Sequence, residues 1–173
     1  MRKLLSLLFL PLMAQAQFAG VDNVTLSSVS AGDEVTRWIA NEYPGGDAYP
    51  ENYIYVDGAS LNTWQEIPAG YEGAWIVHTN IADADTVNAS LVSFTTSGRS
   101  QVCVIWPDSV TPKAWIATAS YLDTGRNVEL PGGTASMYCA MKDAGALAFG
   151  DSGSPMYLVS VSPAWRAQPT AAL

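Results

Sequence analysis

Gln101-Val102-Cys103-Val104-Ile105-Trp106 is an apolar run of strand length closed by Pro107-Asp108, and Ala135-Ser136-Met137-Tyr138-Cys139-Ala140-Met141, opened by Pro131-Gly132-Gly133, is a second. Short runs of this kind, bounded by turn residues, read as strands. Working outward, the same pattern recurs at Tyr53–Val56, Ala74–Thr79, Ala89–Thr95, Asn127–Leu130, Gly145–Phe149 and Pro155–Val161. Asp57-Gly58, Pro68-Ala69-Gly70, Ser97-Gly98, Thr124-Gly125 and Asp151-Ser152-Gly153 separate them. No strand–helix alternation appears, which argues against a parallel α/β sheet. The expectation is an all-β chain: an antiparallel β-sandwich, jelly-roll-like, of about eight to nine short strands. Gly32–Tyr43 is ambiguous. Val35, Trp38, Ile39 and Glu42 have helical spacing with Asp33 as a cap, while Val35–Ala40 fits a strand nearly as well.

The ends of the chain set its surroundings. Arg2 and Lys3 precede an apolar stretch from Leu4 to Met13, and Ala14-Gln15-Ala16 offers small residues at a cleavage site. This is the build of a secretory signal peptide. The run is shorter than the roughly 20 residues needed to span a bilayer. The expected organisation is a signal peptide over 1–16, one β-sandwich domain over 17–161 and a Pro/Ala-rich tail over 162–173. The expected location is outside the cytoplasm, either periplasmic or extracellular.

The formal charge of −8 becomes more negative still when Arg2 and Lys3 leave with the leader. Such a surface repels phosphate backbones and anionic lipid, so nucleic-acid and membrane-surface roles are poor fits. In an exported chain the two cysteines, Cys103 and Cys139, are expected to form a disulfide between two strands, the alternative being two reduced buried thiols. Two Cys and one His cannot build a thiolate-rich zinc site. No cofactor is expected. A structural Ca²⁺ would have Asp83 and Asp85 as its carboxylates, with Asn80 nearby, against the 6–8 oxygens such an ion takes.

From about Gly58 to Val161 the chain resembles a β-sandwich accessory module of large secreted bacterial proteins, often found beside polysaccharide lyases and glycoside hydrolases. The marks come in order: Ile67-Pro68, Tyr71-Glu72-Gly73-Ala74, Ile76-Val77-His78-Thr79-Asn80-Ile81-Ala82-Asp83, then Val102–Asp108. Pro112-Lys113-Ala114-Trp115-Ile116, Tyr121-Leu122-Asp123-Thr124-Gly125, Gly145–Gly150 and Met156-Tyr157-Leu158-Val159 follow. The resemblance implies a carbohydrate-binding role and carries over no catalytic residue. Cys103 departs from the aromatic of that pattern, and the first fifty residues do not follow it.

Gly150-Asp151-Ser152-Gly153-Ser154-Pro155 looks like the nucleophile loop of a chymotrypsin-like serine protease. His78 and the acids Asp83, Asp85, Asp108 and Asp123 precede Ser152 in the required order. Yet His78 lies in Trp-Ile-Val-His-Thr-Asn, the wrong context, and too little chain separates or follows the two for a double barrel. A Gly/Ser/Asp turn between strands explains the motif. Nothing in the spacing of the 16 acidic residues singles out a glycosidase pair.

Aromatic side chains are the best candidates for a ligand surface, because sugar rings stack on them. Tyr43, Tyr49 and Tyr53 cluster in a Pro/Gly-rich segment, and Trp64 lies among Asn62, Thr63 and Gln65. Trp75, Trp106 and Trp115 lie in apolar runs and belong to the core. The leading expectation is therefore a non-catalytic, carbohydrate-binding module whose partner is a polysaccharide or glycan. The alternative is a structural or adhesive surface protein that holds another protein, by strand addition at an open edge. An exported serine hydrolase using Ser152 is a distant third.

Overall fold

The computed structural model describes residues 24–30, 32–37, 68, 70–71, 73–130, 133–153 and 156–164. Among them nine strands form two antiparallel sheets, as the turn-punctuated pattern requires. The smaller sheet orders β1 (Leu26–Ser27), β4 (Val92–Thr96) and β8 (Gly145–Phe149) as β1-β4-β8. The larger contains β2 (Glu34–Arg37), β3 (Trp75–His78), β5 (Ser100–Pro107), β6 (Leu122–Leu130), β7 (Gly133–Lys142) and β9 (Leu158–Pro163). Its order is β2-β3-β9-β5-β7-β6. One helical turn, α1 (Ala114–Thr118), and a 3-10 turn at Ile81–Asp83 complete it.

Central β5 is buried along its whole length and pairs with β9 on one side and β7 on the other. That explains why it reads as an unbroken apolar run rather than an alternating one. Strand β7, nearer the edge, alternates instead: Ala135, Met137 and Cys139 are buried, while Ser136 and Tyr138 are half-buried. Between the sheets lies an aromatic cluster. Phe94 stacks on Phe149 at 5.4 Å, Trp106 stacks on Tyr157 at 5.6 Å, and Trp115 meets Trp106, Tyr121, Phe149 and Tyr157. Each such pair adds about 0.5–1.5 kcal/mol beyond the area it buries. Trp75, Trp106 and Trp115 all belong to the core or pack against it, as expected.

Three expectations are refined. The ambiguous segment is a strand at Glu34–Arg37, because β3 supplies a partner over its whole length, from Glu34 opposite His78 to Arg37 opposite Trp75. Asp123-Thr124-Gly125 does turn, but inside β6. The ladder slips between Asp123 and Asn127, Asp123 Oδ1 accepts the Gly125 N–H at 2.8 Å, and Gly125 takes φ 68°. This is a bulge at a sheet edge, and glycine supplies the left-handed conformation it needs. Finally, β9 continues past Val161 into the stretch read as a tail, because Ser162 and Pro163 register with Gln101 and Ser100.

Cys103 and Cys139 are directly opposed in the β5–β7 ladder, Cα to Cα 4.0 Å apart, and form a disulfide. The bridge between two strands is therefore present. Tyr71 Oη lies 3.6 Å from Cys139 Sγ, and the Arg126 guanidinium stands 5.8 Å over the Tyr71 ring. Among the described residues no helix is long and apolar enough to cross a membrane.

Candidate functional site

The larger sheet extends sideways past the smaller one, and its inner face opens to solvent there. Two rows across the ladder show the transition. Buried Trp106 is followed by half-buried Ser136 on β7 and exposed Asn127 on β6. Buried Val104 is followed by half-buried Tyr138 and exposed Asp123. The strand period of two puts Ser136, Tyr138, Asn127 and Asp123 on one face. The result is a polar shelf with one tyrosine ring on it.

Asp108 closes one end of the shelf. It follows β5, and its backbone N–H donates to the Thr134 carbonyl at 2.9 Å. Its carboxylate accepts the Ser136 hydroxyl at 2.6 Å on Oδ1 and the Thr134 hydroxyl on Oδ2. Ser136 Oγ also lies 3.5 Å from Asn127 Oδ1. Partial desolvation pushes the Asp108 carboxyl up. The bonds from Ser136 and Thr134 and a backbone bond from Ser136 outweigh it and hold the group below the usual range. The Tyr138 phenol is raised, first by desolvation and then by the charges of Asp123 and Asp108. Asp123 stands opposite Tyr138 in the ladder, and Asp108 is held by Ser136, two residues before the tyrosine on the same face. Such a surface can lay a ring against a flat polarised face while carboxylate, amide and hydroxyl oxygens take hydroxyl donors.

The expected aromatic candidates Tyr43, Tyr49, Tyr53 and Trp64 all lie outside the described residues. Sequence reasoning does not single out the shelf. Its signal is Tyr138 between Ser136 and Lys142 on the polar side of an alternating strand.

The Gly150–Gly153 loop has a structural job. Ser152 is 0% exposed, and its hydroxyl reaches the Gly153 carbonyl at 2.7 Å and Met156 Sδ at 3.1 Å. Asp151 pairs with Lys113 at 3.2 Å, the Gly153 N–H donates to the Ala84 carbonyl, and the Tyr157 hydroxyl donates to the Gly150 carbonyl at 2.7 Å. A nucleophile needs access to a substrate carbonyl, and this hydroxyl has none. His78 is buried on β3. Asp83 ends the 3-10 turn, Asp85 is exposed on the following loop, and Asn80 Oδ1 is taken up by the Ala82 N–H. Among the described residues no three His, Cys, Asp or Glu side chains gather as a metal site.

No protein-family model matches the sequence, and no curated protein matches it. Among solved structures the chain is similar to a β-glucuronidase from glycoside hydrolase family 2, with a TM-score of 0.62 and 20% identity. The match covers 80% of this chain and 14% of the enzyme's. At this identity the likeness shows a shared β-sandwich fold, and this chain spans a small fraction of the larger protein.

Proposed function

We propose that this chain is an exported, non-catalytic module that holds a glycan on the β6–β7 shelf. The observation that carries the reading is Tyr138. It is a partly exposed ring on a polar face, with Asp108, Ser136, Asn127 and Asp123 around it. Ligand sites of this kind combine an aromatic platform with a few placed polar groups. A sugar's C–H face would stack on the ring, and its hydroxyls would donate to the two carboxylates. The fold shared with part of a glycoside hydrolase supports a carbohydrate setting by analogy alone. The disulfide supports an oxidising compartment, as an exported chain requires.

The test is affinity electrophoresis of the protein, expressed as the full chain and purified from the periplasm, through gels holding a panel of polysaccharides. Tyr138→Ala, Trp64→Ala and a Tyr49→Ala/Tyr53→Ala double variant run beside it. Retardation by one polymer, lost in Tyr138→Ala with an unchanged melting curve, is the expected result. Loss only in the Trp64 or tyrosine-pair variants would move the site off the shelf. No retardation on any polymer would sink the glycan reading.

A further inference from the structure

We propose that the β6–β7 shelf selects a neutral, hydroxyl-rich glycan and turns away uronate and sulfated ones. This rests on the glycan reading and names the class of glycan.

The protons of the shelf are already committed. A hydroxyl has one proton to give and lone pairs to receive with. Ser136 gives its proton to Asp108 Oδ1 at 2.6 Å, and Thr134 gives its own to Oδ2. Partial desolvation raises the Asp108 carboxyl, but these bonds outweigh it and keep the group ionised at neutral pH, with no proton to return. Both hydroxyl oxygens therefore meet a ligand as acceptors. Ser136 has no second proton for Asn127 Oδ1, 3.5 Å away. Turning that amide over sets an N–H there instead and leaves its carbonyl for the ligand. Asp123 spends one oxygen on the Gly125 N–H and is exposed. Glu129, exposed and opposite Thr134, adds a third carboxylate to the same face. Around the Tyr138 ring the shelf thus offers oxygens that need donors.

A neutral sugar meets that demand. Its hydroxyls donate to these oxygens while its C–H face lies on the ring. A uronate carboxylate or a sulfate ester brings further acceptors and a negative charge. Like charges repel, and the repulsion grows as the ligand displaces water from the site. The lysine of this face does not relieve it. Lys142 lies four residues along β7, about 13 Å from Tyr138 at strand spacing. Its ammonium donates to the Ala119 carbonyl at 2.7 Å and stands 4.7 Å over the Tyr121 ring. Arg126 on β6 stands over Tyr71, which lies against the disulfide on the opposite face of the sheet.

The test is affinity electrophoresis of the full chain, purified from the periplasm, at low ionic strength, where surface charges are least screened. Polymers run in pairs that share a backbone and differ in charge: hydroxyethylcellulose with carboxymethylcellulose, methyl-esterified with de-esterified pectin, dextran with dextran sulfate. Any other neutral polymer that retards the protein is carboxymethylated to supply its partner. The expected result is retardation by a neutral member, lost in Tyr138→Ala, and an affinity lower by about tenfold or more for its charged partner. Two double variants separate shelf charge from overall charge. Asp123→Asn/Glu129→Gln removes two carboxylates from the shelf, and Asp85→Asn/Asp143→Asn removes two exposed ones elsewhere. Melting curves check that both fold, and Asp123→Asn alone replaces a shelf variant that does not. The shelf variant is expected to gain binding to the charged polymer, and the control is not. A wild type retarded as strongly by a uronate or sulfated polymer, through Tyr138, overturns the selection and keeps the glycan site. A shelf variant that gains no more than the control also overturns it, since the shelf carboxylates are then not what rejects the charge. Retardation that survives Tyr138→Ala moves the glycan off the shelf and ends this selection with it. Retardation by no polymer at all sinks the glycan reading itself.

Discussion

Trp115 Nε1 donates to the Asp151 carbonyl at 2.9 Å, and its indole lies so close over Gly150 that a β-carbon there would stand 2.8 Å from Cδ1. The loop that resembles a protease motif is thus moulded around a tryptophan. Trp115 cannot swing aside, because Trp106, Tyr121, Phe149 and Tyr157 surround it. Gly150→Ala is therefore expected to destabilise the domain by about 1–3 kcal/mol, the usual cost of overpacking. Urea denaturation followed by tryptophan fluorescence measures it, and an unchanged midpoint would refute the close packing. On the same grounds a fluorophosphonate is expected to leave Ser152 of the folded protein unlabelled.

The Cys103–Cys139 bridge closes a sequence separation of 36 residues. Constraining a loop of that size in the unfolded chain contributes about 2–4 kcal/mol. The double variant Cys103→Ala/Cys139→Ala is expected to keep the fold, since the β5–β7 ladder continues on both sides of the bridge, and to lose about that much stability. Urea melts of wild type and variant provide the comparison. A loss of much less than about 1 kcal/mol would mean that the unfolded chain already holds these strands together.

Much of the strand series is legible, because Pro107-Asp108, Ser97-Gly98 and their like punctuate runs of strand length. The illegible parts depend on distant partners. Val35 suits a helix about as well as a strand until β3 lies beside it. Leu26–Ser27 is too short to carry a pattern and exists as a strand because Thr95 and Thr96 face it. Asp123-Thr124-Gly125 reads as a turn and is one, but β7 resumes pairing beyond it at Asn127. The shelf is hidden for a similar reason. The alternation around Tyr138 is plain in the sequence. That its polar side lies beyond the rim of the opposite sheet is a property of two sheets of unequal width, which no local window contains.

Asp33 gives a pH-dependent prediction. Burial pushes its carboxyl up; the Ser30 hydroxyl bond, at 2.8 Å, works against this and the charge of Asp83 adds to it, leaving the group at about 6. An unfolded chain releases that proton at the ordinary 3.8. Between these values the folded state binds more protons, so this group lowers stability as pH rises through the window, with the full penalty above it. Asp33→Asn keeps an acceptor for Ser30 and has no charge to desolvate. The variant is expected to melt higher than wild type at pH ~7.5 and level with it near pH ~4. Melting curves at both pH values decide it, and a gap that fails to close in acid would show that the carboxyl is not the cause.

Tyr138 and Asp123 are neighbours across the β6–β7 ladder, and this pairing separates binding from stability. Both lie on the open side of the sheet, so their removal leaves no cavity in the core. Tyr138→Ala is expected to change the melting temperature little, because it deletes a partly exposed ring. If a glycan stacks there, the same change should weaken binding about tenfold or more, since an aromatic contact of about 1.5 kcal/mol corresponds to that factor. Asp123→Asn keeps the acceptor for the Gly125 N–H and hence the bulge, while removing the charge. It is expected to weaken binding less than Tyr138→Ala does. Isothermal titration with the polymer that retards the protein gives both numbers. Equal affinities for all three proteins would place the ligand elsewhere on the domain, however well the shelf is built.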